Sequence, residues 1–570
     1  MSILFREVID VAVEQYILNN YIIDNFVDIE VFRSNFPALE IIRIAPNIYT
    51  IEVPDTTEAR EQFERLRSTI SFVTTPVLYG LSAMPALSAS NILQFHDYPY
   101  GELRGAGIIV GFVDTGIDYN NVLFKNADNT TRIVRIWDQT ISGNPPMGYN
   151  YGTVYTKEEI DNALQNSNPY SVVPTRDENG HGTFLAGVAT GNDQTGNMDY
   201  TGGAPDATIA MVKLRPASAY LREIFSVNED VPAFQDNDIM AGINYLMGLA
   251  LAQQKPLIIC LGIGSNYGAH NGTEIMENYI SDISIASDVI IVIAAGNEGS
   301  SGHHYRGEVT EGGSESLEIN VGANEAGFSM FVWVDIPNKM SVSLKSPLGQ
   351  VIEKIPITYA QPSRFKLNLE ETTVIVTYMY PDPLTGGQKI DVKLEKPTAG
   401  LWTLTVYGDV IVSGVFHIWL PRKGFIQEDT RFLKPDPQTT IEIPGTEQYG
   451  ITVGSYDYLD DSVYVSSGRG PTTEGIIKPD LIAPGVNIQG PVPGGGFTTY
   501  VGTSAAAAIT ASAAALLMEW AILNGNFPVM NTRIARSILI RGARRQDNVV
   551  YPNNIEGYGR LDLQASIAKA

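Results

Sequence analysis

Three short segments of this 570-residue chain carry residues suited to covalent chemistry. In the first, Val113-Asp114-Thr115-Gly116-Ile117-Asp118, Asp114 follows a β-branched run and stands at the end of a buried strand. An ionised carboxylate is costly there without partners; capping a turn is its plainer role. In the second, Asn179-Gly180-His181-Gly182-Thr183, glycines flank His181, so little shields the imidazole. The following FLAGVAT reads as the start of a helix. In the third, Gly502-Thr503-Ser504-Ala505, small residues surround Ser504 and a long alanine-rich helix follows. A serine at a helix N-terminus is commonly an N-cap. It can also be a nucleophile whose oxyanion meets backbone N–H groups and the helix dipole. A serine hydroxyl is a poor nucleophile at neutral pH. It needs a base, and the base needs a carboxylate to fix its tautomer and stabilise its charged form. Asp114, His181 and Ser504 together supply all three groups. A fourth segment, Ala294-Ala295-Gly296-Asn297-Glu298, follows the apolar run DVIIVI. The Asn297 amide can donate to an oxyanion, and losing such a donor costs about 3 kcal/mol in the barrier.

The elements that must position these groups are readable as well. GAGIIVGFVDTGID, ATIAMVKL, KPLIICLGIG and DVIIVIAAGNEG are continuous apolar runs. Such runs suit parallel strands buried on both faces. Helical patterns such as NDIMAGINYLMGLALAQQ lie between them. The alternation predicts a doubly wound α/β domain, with functional groups at the carboxyl ends of its strands. From about 306 to 440, short segments alternate apolar and polar residues between Gly, Pro and Asn turns. They predict an all-β sandwich inserted in the α/β domain. The first 67 residues predict a small α/β unit: a helix in VIDVAVEQYILNN, two strands around Pro46-Asn47, and a helix in TTEAREQFERLR. Residues 68–95 contain no Asp, Glu, Lys, Arg or His. They read either as a buried strand with a linker, or as an extended stretch lying in a groove of another part.

Composition narrows the classes. Hydrophobic residues make up 44% and charged residues 18%, which suits two to four globular domains. The net charge of −25 argues against nucleic acid and anionic membrane as partners. A single cysteine, Cys260, allows no internal disulfide. The N-terminal residues lack a basic n-region and a clean apolar core, so no signal peptide is expected and synthesis is expected to be cytoplasmic. AAAAITASAAALLMEW is broken by Thr510, Ser512 and Glu519 and reads as a buried helix rather than a membrane span.

From Gly105 to Leu563 the chain resembles the subtilisin-like serine peptidases. The resemblance rests on Asp114-Thr115-Gly116, Gly180-His181-Gly182-Thr183, Ala295-Gly296-Asn297, Ser467-Gly468-Arg469-Gly470-Pro471, Lys478-Pro479-Asp480 through Gly485, and Gly502-Thr503-Ser504. It implies Ser504 as nucleophile, His181 as general base and then acid, and Asp114 as its orienting carboxylate. Asn297 and the Ser504 N–H would form the oxyanion hole. Gly262, Ile263, Gly264, Ala294, Ala295 and Gly296 would line the substrate cleft. Within the family the chain is most similar to the clostridial Csp spore-germination proteases. That likeness implies a prodomain over 1–84, a catalytic domain over 85–570 and a jelly-roll-like insert over 306–440. It also implies autocatalytic cleavage, expected between Leu81 and Ser90, with the cleaved prodomain staying in the cleft. The substrate would be the proenzyme of a spore cortex lytic hydrolase, and the enzyme would be carried in the spore. A pseudoprotease scaffold with a permanently blocked cleft and a general degradative peptidase are the alternatives.

The chain departs from the family pattern in places. Where the family has Ser-Leu-Gly on the specificity strand, Gly262-Ile263-Gly264 is one register here and Cys260-Leu261-Gly262 the other. Ala505 stands where Met commonly follows the nucleophile. Asn120-Asn121-Val122-Leu123-Phe124 lacks the Asp that binds calcium in many relatives, so neither a metal site nor a cofactor is expected.

Overall fold

The computed structural model describes residues 14–19, 33–45, 48–54, 56–69, 73–74, 78–81, 87–97, 102–194 and 200–570. An eight-stranded sheet forms its centre. In spatial order the strands are Leu481–Pro484, Ile451–Tyr456, Val289–Ala294, Leu257–Leu261, Ile109–Asp114, Thr208–Lys213, Ile133–Asp138 and Thr153–Thr156. The first seven run parallel and the last is antiparallel. Continuous apolar runs are required because both faces are covered. Along Ile109–Asp114, Val110 and Phe112 join the core under the helices His181–Thr190 and Thr503–Met518. Ile109 and Val113 join the opposite core, under the helix Asp236–Gln253. Burying each such side chain contributes about 1.5–3 kcal/mol.

Every residue of Thr503–Met518 is buried. Its alanines let the helix lie close to the sheet without a bulky stripe. Thr503–Leu523 has the length and composition of a membrane span, yet 83% of its most apolar window is buried inside the fold. This helix carries Ser504 at its N-terminal end, held rigidly by its own burial.

The N-terminal residues form a separate four-stranded sheet, Glu40–Ala45, Ile48–Val53, Glu14–Asn19 and Val73–Thr74, with the helix Thr57–Thr69 against it. The expected helix in VIDVAVEQYILNN is not formed over Glu14–Asn19. That segment is a strand, paired antiparallel from Glu14↔Val53 to Asn19↔Ile48; residues 8–13 lie outside the described residues. A short apolar run with Tyr16 and Ile17 suits either period, and pairing with a neighbouring strand decides it. The two strands around Pro46-Asn47 and the second helix form where expected. Ile42 enters the same core as Ile239, Ile243 and Leu246 of the Asp236–Gln253 helix. Glu52 reaches Arg215 at 3.4 Å.

Strands from His304–Glu308 to Arg431–Phe432 build two antiparallel sheets of six and five strands around one apolar core. The inserted β unit meets the α/β part through stacked rings. His270 lies on Trp419 with centroids 4.1 Å apart, and His304 lies on Trp419 at 4.8 Å. His304 Nε2 and His417 Nδ1 share a hydrogen bond of 2.9 Å. Burial pushes His270 down to about 4, and His304 and His417 to about 3. A further buried cluster explains Lys478-Pro479-Asp480. Lys478 Nζ donates to Asp480 Oδ2 at 2.9 Å, Thr452 Oγ1 at 3.0 Å and the Gly450 carbonyl at 3.1 Å. Arg536 Nε donates to Asp480 Oδ1 at 2.7 Å. Burial opposes the Asp480 charge, but Lys478 and Arg536 hold its carboxyl below the usual range.

Two outcomes follow for stability, measured by urea unfolding of the Ser504→Ala protein. Below about pH 6.5 the unfolded chain binds protons that the three buried histidines refuse. Stability therefore falls with pH, by up to about 1.4 kcal/mol per pH unit for each histidine, until the folded rings titrate. The fall between pH 7 and pH 5 is smaller in His417→Gln. At constant pH, Asp480→Asn removes the nearer of the two carboxylates facing buried Lys478, leaving only Glu447 at 4.0 Å, and costs about 3 kcal/mol.

Candidate active site

Asp114 ends the central Ile109–Asp114 strand, and His181 opens the His181–Thr190 helix. His181 Nδ1 lies 2.8 Å from Asp114 Oδ1 and 3.0 Å from Oδ2. Both residues are buried. Asp114 Oδ1 also accepts from the Thr115 N–H at 2.7 Å and the Thr115 hydroxyl at 3.2 Å. With Nδ1 donating to the carboxylate, Nε2 is left as an acceptor. It faces Ser504 Oγ at 3.4 Å, at the outer edge of hydrogen-bond distance.

The glycines beside His181 have different jobs. Gly180 caps the helix at φ +92°, a left-handed conformation that favours glycine. At Gly182 a Cβ would overlap the Gly116 carbonyl oxygen, so the Asp114 turn and the His181 turn interlock only because that atom is missing. The Gly182 N–H donates to Thr115 Oγ1 at 2.9 Å. Asp177, which the sequence reading missed, holds the histidine turn from behind. Its Oδ1 accepts from the Gly180 N–H at 2.8 Å, and its Oδ2 from the Thr183 N–H at 2.8 Å and hydroxyl at 2.7 Å. An acidic residue just before a Gly-rich helix start is the sequence signal for such a cap.

Ser504 lies in the first turn of its helix, where backbone N–H groups have no intrahelical partner. Asn297 Oδ1 accepts from the Thr503 N–H at 3.1 Å. That bond fixes the amide orientation and leaves Nδ2 to donate. Thr503 Oγ1 accepts from the Gly296 N–H at 3.0 Å, tying the loop of Asn297 to the helix of Ser504. An amide donor and a helix N–H are thus set beside Ser504 Oγ, an arrangement able to stabilise an oxyanion.

The chain's own Leu78–Leu81 strand runs up to this site. It pairs antiparallel with Phe234–Gln235 on one side and with Ile263–Gly264 on the other, through Gly80↔Gly264 and Leu81↔Ile263. A Cβ at Gly262 would meet Leu185 Cδ1 at 2.6 Å, Ser504 Cβ at 2.9 Å and His181 Cε1 at 3.0 Å. Gly262, which both registers share, therefore borders Ser504 and His181, and Ile263–Gly264 beyond it pair with the Leu78–Leu81 strand. Cys260 is buried in the sheet core, and burial pushes its thiol up. Ala294 packs in the same core. Ala295 spends its N–H on the Val453 carbonyl and its own carbonyl on the Glu442 N–H, both at 2.9 Å. These two alanines shape the loop from inside, while Gly296 and Asn297 carry it to the cleft.

Gly182→Ala is expected to separate the two turns. Because a displacement near 1 Å can cost about 100-fold, labelling of Ser504 by an active-site fluorophosphonate should slow by about that factor. The rate of labelling against wild type measures it, with far-UV circular dichroism as the check on folding.

The Subtilase family profile matches residues 105–343 and 429–559. Among solved structures, the CspB protease of Clostridium perfringens is similar at 34% identity with a TM-score of 0.75, covering 85% of this chain and 97% of that one. The minor extracellular protease Vpr of Bacillus subtilis (strain 168) is 22% identical over 492 residues, 81% of this chain and 52% of Vpr. Serine protease AprX of the same organism is 39% identical over 105 residues, 15% of this chain and 24% of AprX. The chain thus spans about half the length of Vpr and less of AprX. The profile breaks only within the inserted β strands; it resumes at their last strand and runs on through the segments that hold Lys478, Asp480 and Ser504, so this chain belongs to the subtilase family of serine endopeptidases.

Proposed function

We propose that the chain is a subtilisin-type serine endopeptidase made as a zymogen that cuts itself just beyond the Leu78–Leu81 strand. One observation carries the reading: that strand lies between two edge strands and points the chain at Ser504. A peptide added as a strand to an exposed edge is how extended substrates are held. In this reading His181 Nε2 takes the Ser504 proton as Oγ attacks the carbonyl. Asp114 stabilises the imidazolium, and Asn297 Nδ2 with the Ser504 N–H receives the oxyanion. His181 then protonates the leaving amine, and a water repeats the sequence on the acyl-enzyme.

Residues 1–84 would be the prodomain, 85–570 the catalytic domain, and 306–440 an inserted jelly-roll-like domain. The bond is expected between Leu81 and Ser90, of which residues 82–86 lie outside the described residues. The likeness to the C. perfringens CspB protease supports a role in germination. We extend this to activation of a spore cortex lytic proenzyme by an enzyme carried in the spore. A scaffold with a permanently blocked cleft is the second reading, favoured by the same strand filling the cleft.

Intact mass distinguishes them. Wild type should give two fragments whose masses sum to the full chain plus one water, and Ser504→Ala one full-length chain. Wild type should also label stoichiometrically with a fluorophosphonate. One unlabelled, full-length species in both would leave the scaffold.

A further inference from the structure

The turn 120–124, after the Asp114 segment, lacks the Asp that binds calcium in many relatives. The oxygens around it do not fit that ion. Calcium takes about six to eight oxygens, carboxylates among them. Here Asn120 Oδ1 accepts from Lys125 Nζ at 3.0 Å, and Asn121 Oδ1 from the Leu123 N–H at 3.1 Å. Asp206 is paired with Arg104 at 2.6 Å. Among the described residues no group of three or more His, Cys, Asp or Glu could hold a metal.

A cation stands beside this turn all the same. Arg132, 8% exposed, comes just before the Ile133–Asp138 strand. Its Nη1 donates to the Ala207 carbonyl at 3.0 Å, and its Nη2 to the Leu123 carbonyl at 2.7 Å and to the Thr190 carbonyl. All three acceptors are neutral oxygens, and each belongs to a different element. Leu123 is in the turn itself, Thr190 ends the helix that His181 opens, and Ala207 precedes the Thr208–Lys213 strand. The last carbonyls of a helix have no intrahelical partner and carry the negative end of its dipole. The His181–Thr190 helix has no basic residue in its last turn, so its cation comes from another segment. Burial pushes Arg132 down to about 10 against the pull of Asp206, which leaves it charged at neutral pH. A planar guanidinium suits this set: it donates to several carbonyls at once and needs no carboxylate to complete a shell. A divalent ion among neutral carbonyls alone would lack a counter-charge.

We infer that Arg132 is the built-in cation of this region, taking the part that calcium takes in those relatives, so that the chain uses no metal there. It ties the far end of the His181 helix to the turn that follows Asp114 and to a central strand. This role is independent of the peptidase reading, because its test needs no catalysis.

Thermal unfolding of the full-length Ser504→Ala chain, followed by near-UV circular dichroism, tests it. With Arg132 present, the midpoint should agree within about 1 °C in chelator and in millimolar calcium, since an ion that does not bind shifts nothing. Arg132→Ala leaves three carbonyls around a cavity without a donor, and the midpoint should fall by about 5 °C. Added ethylguanidinium, the group removed, should restore about half of that loss in a saturable way and leave the Arg132 chain unmoved. Arg132→Lys keeps the charge but loses the fork; it should unfold below the Arg132 chain and gain nothing from calcium, and it serves if the alanine variant does not fold. Calcium that raises the midpoint of the Arg132 chain, or binds it stoichiometrically in equilibrium dialysis, overturns the assignment. So does an Arg132→Ala midpoint that stays in place or that falls without answering to ethylguanidinium, or an Arg132→Lys midpoint equal to that of the Arg132 chain.

Discussion

The catalytic edge depends on one close approach, the Gly116 carbonyl lying where a side chain at position 182 would begin. Two turns from separate parts of the sequence meet there backbone to backbone. The meeting lets Thr115 serve both sides, donating to Asp114 and accepting from the Gly182 N–H. It brings the imidazole to 2.8 Å from the carboxylate without a flexible side chain bearing the load. Asp177 then fixes the histidine turn from the far side by capping its helix. Under the proposed reading, a base held this way loses little entropy at the moment of proton transfer, which is what preorganisation means in structural terms.

Buried charge does a second job around this edge. An isolated ion in a packed interior is costly, so each needs partners, and here the partners come from distant segments. Glu298, next to Asn297, accepts from His303 Nδ1 at 2.6 Å, from Asn266 Nδ2 at 3.1 Å and from the Lys423 N–H at 2.8 Å. Those three bonds join the Asn297 loop to the loop beyond Gly264 and to the two ends of the inserted β unit. The insertion begins within a few residues of Asn297, a position where added chain could loosen the donor. Glu298 closes that risk by tying the return of the insert to the same loop. Lys478, Asp480 and Arg536 do the equivalent work at the sheet edge behind Ser504.

Much of this was legible in the sequence, for a physical reason. The candidate catalytic groups sit in short contiguous motifs whose small residues are there because backbones touch. The central strands are buried on both faces and so read as unbroken apolar runs. What was not legible depends on contacts between distant positions. Glu14–Asn19 forms a strand because Ile48–Val53 lies beside it, and its own apolar spacing did not foretell that. That Ile263–Gly264 would pair with the Leu78–Leu81 strand depends on residues far apart in the chain and was not readable from either segment. Glu442 is one acid among many in the sequence. Only the fold brings it from far along the chain to the underside of Gly264 and Gly296.

The Leu78–Leu81 strand also bears on what happens after a cut. The backbone pairing that presents a bond for cleavage is the same pairing that holds the product, because hydrolysis beyond Leu81 leaves Gly80 and Leu81 where they were. Cleavage alone removes the covalent tether and nothing else. The N-terminal unit keeps its own hold through Ile42 in the core beside the Asp236–Gln253 helix and through Glu52 on Arg215. Two weak attachments on one rigid unit act together, each raising the effective concentration of the other. Under the proposed reading, access to the cleft is therefore set by how the whole N-terminal unit leaves its helix, and the chemical step at Ser504 is necessary for release without being sufficient for it.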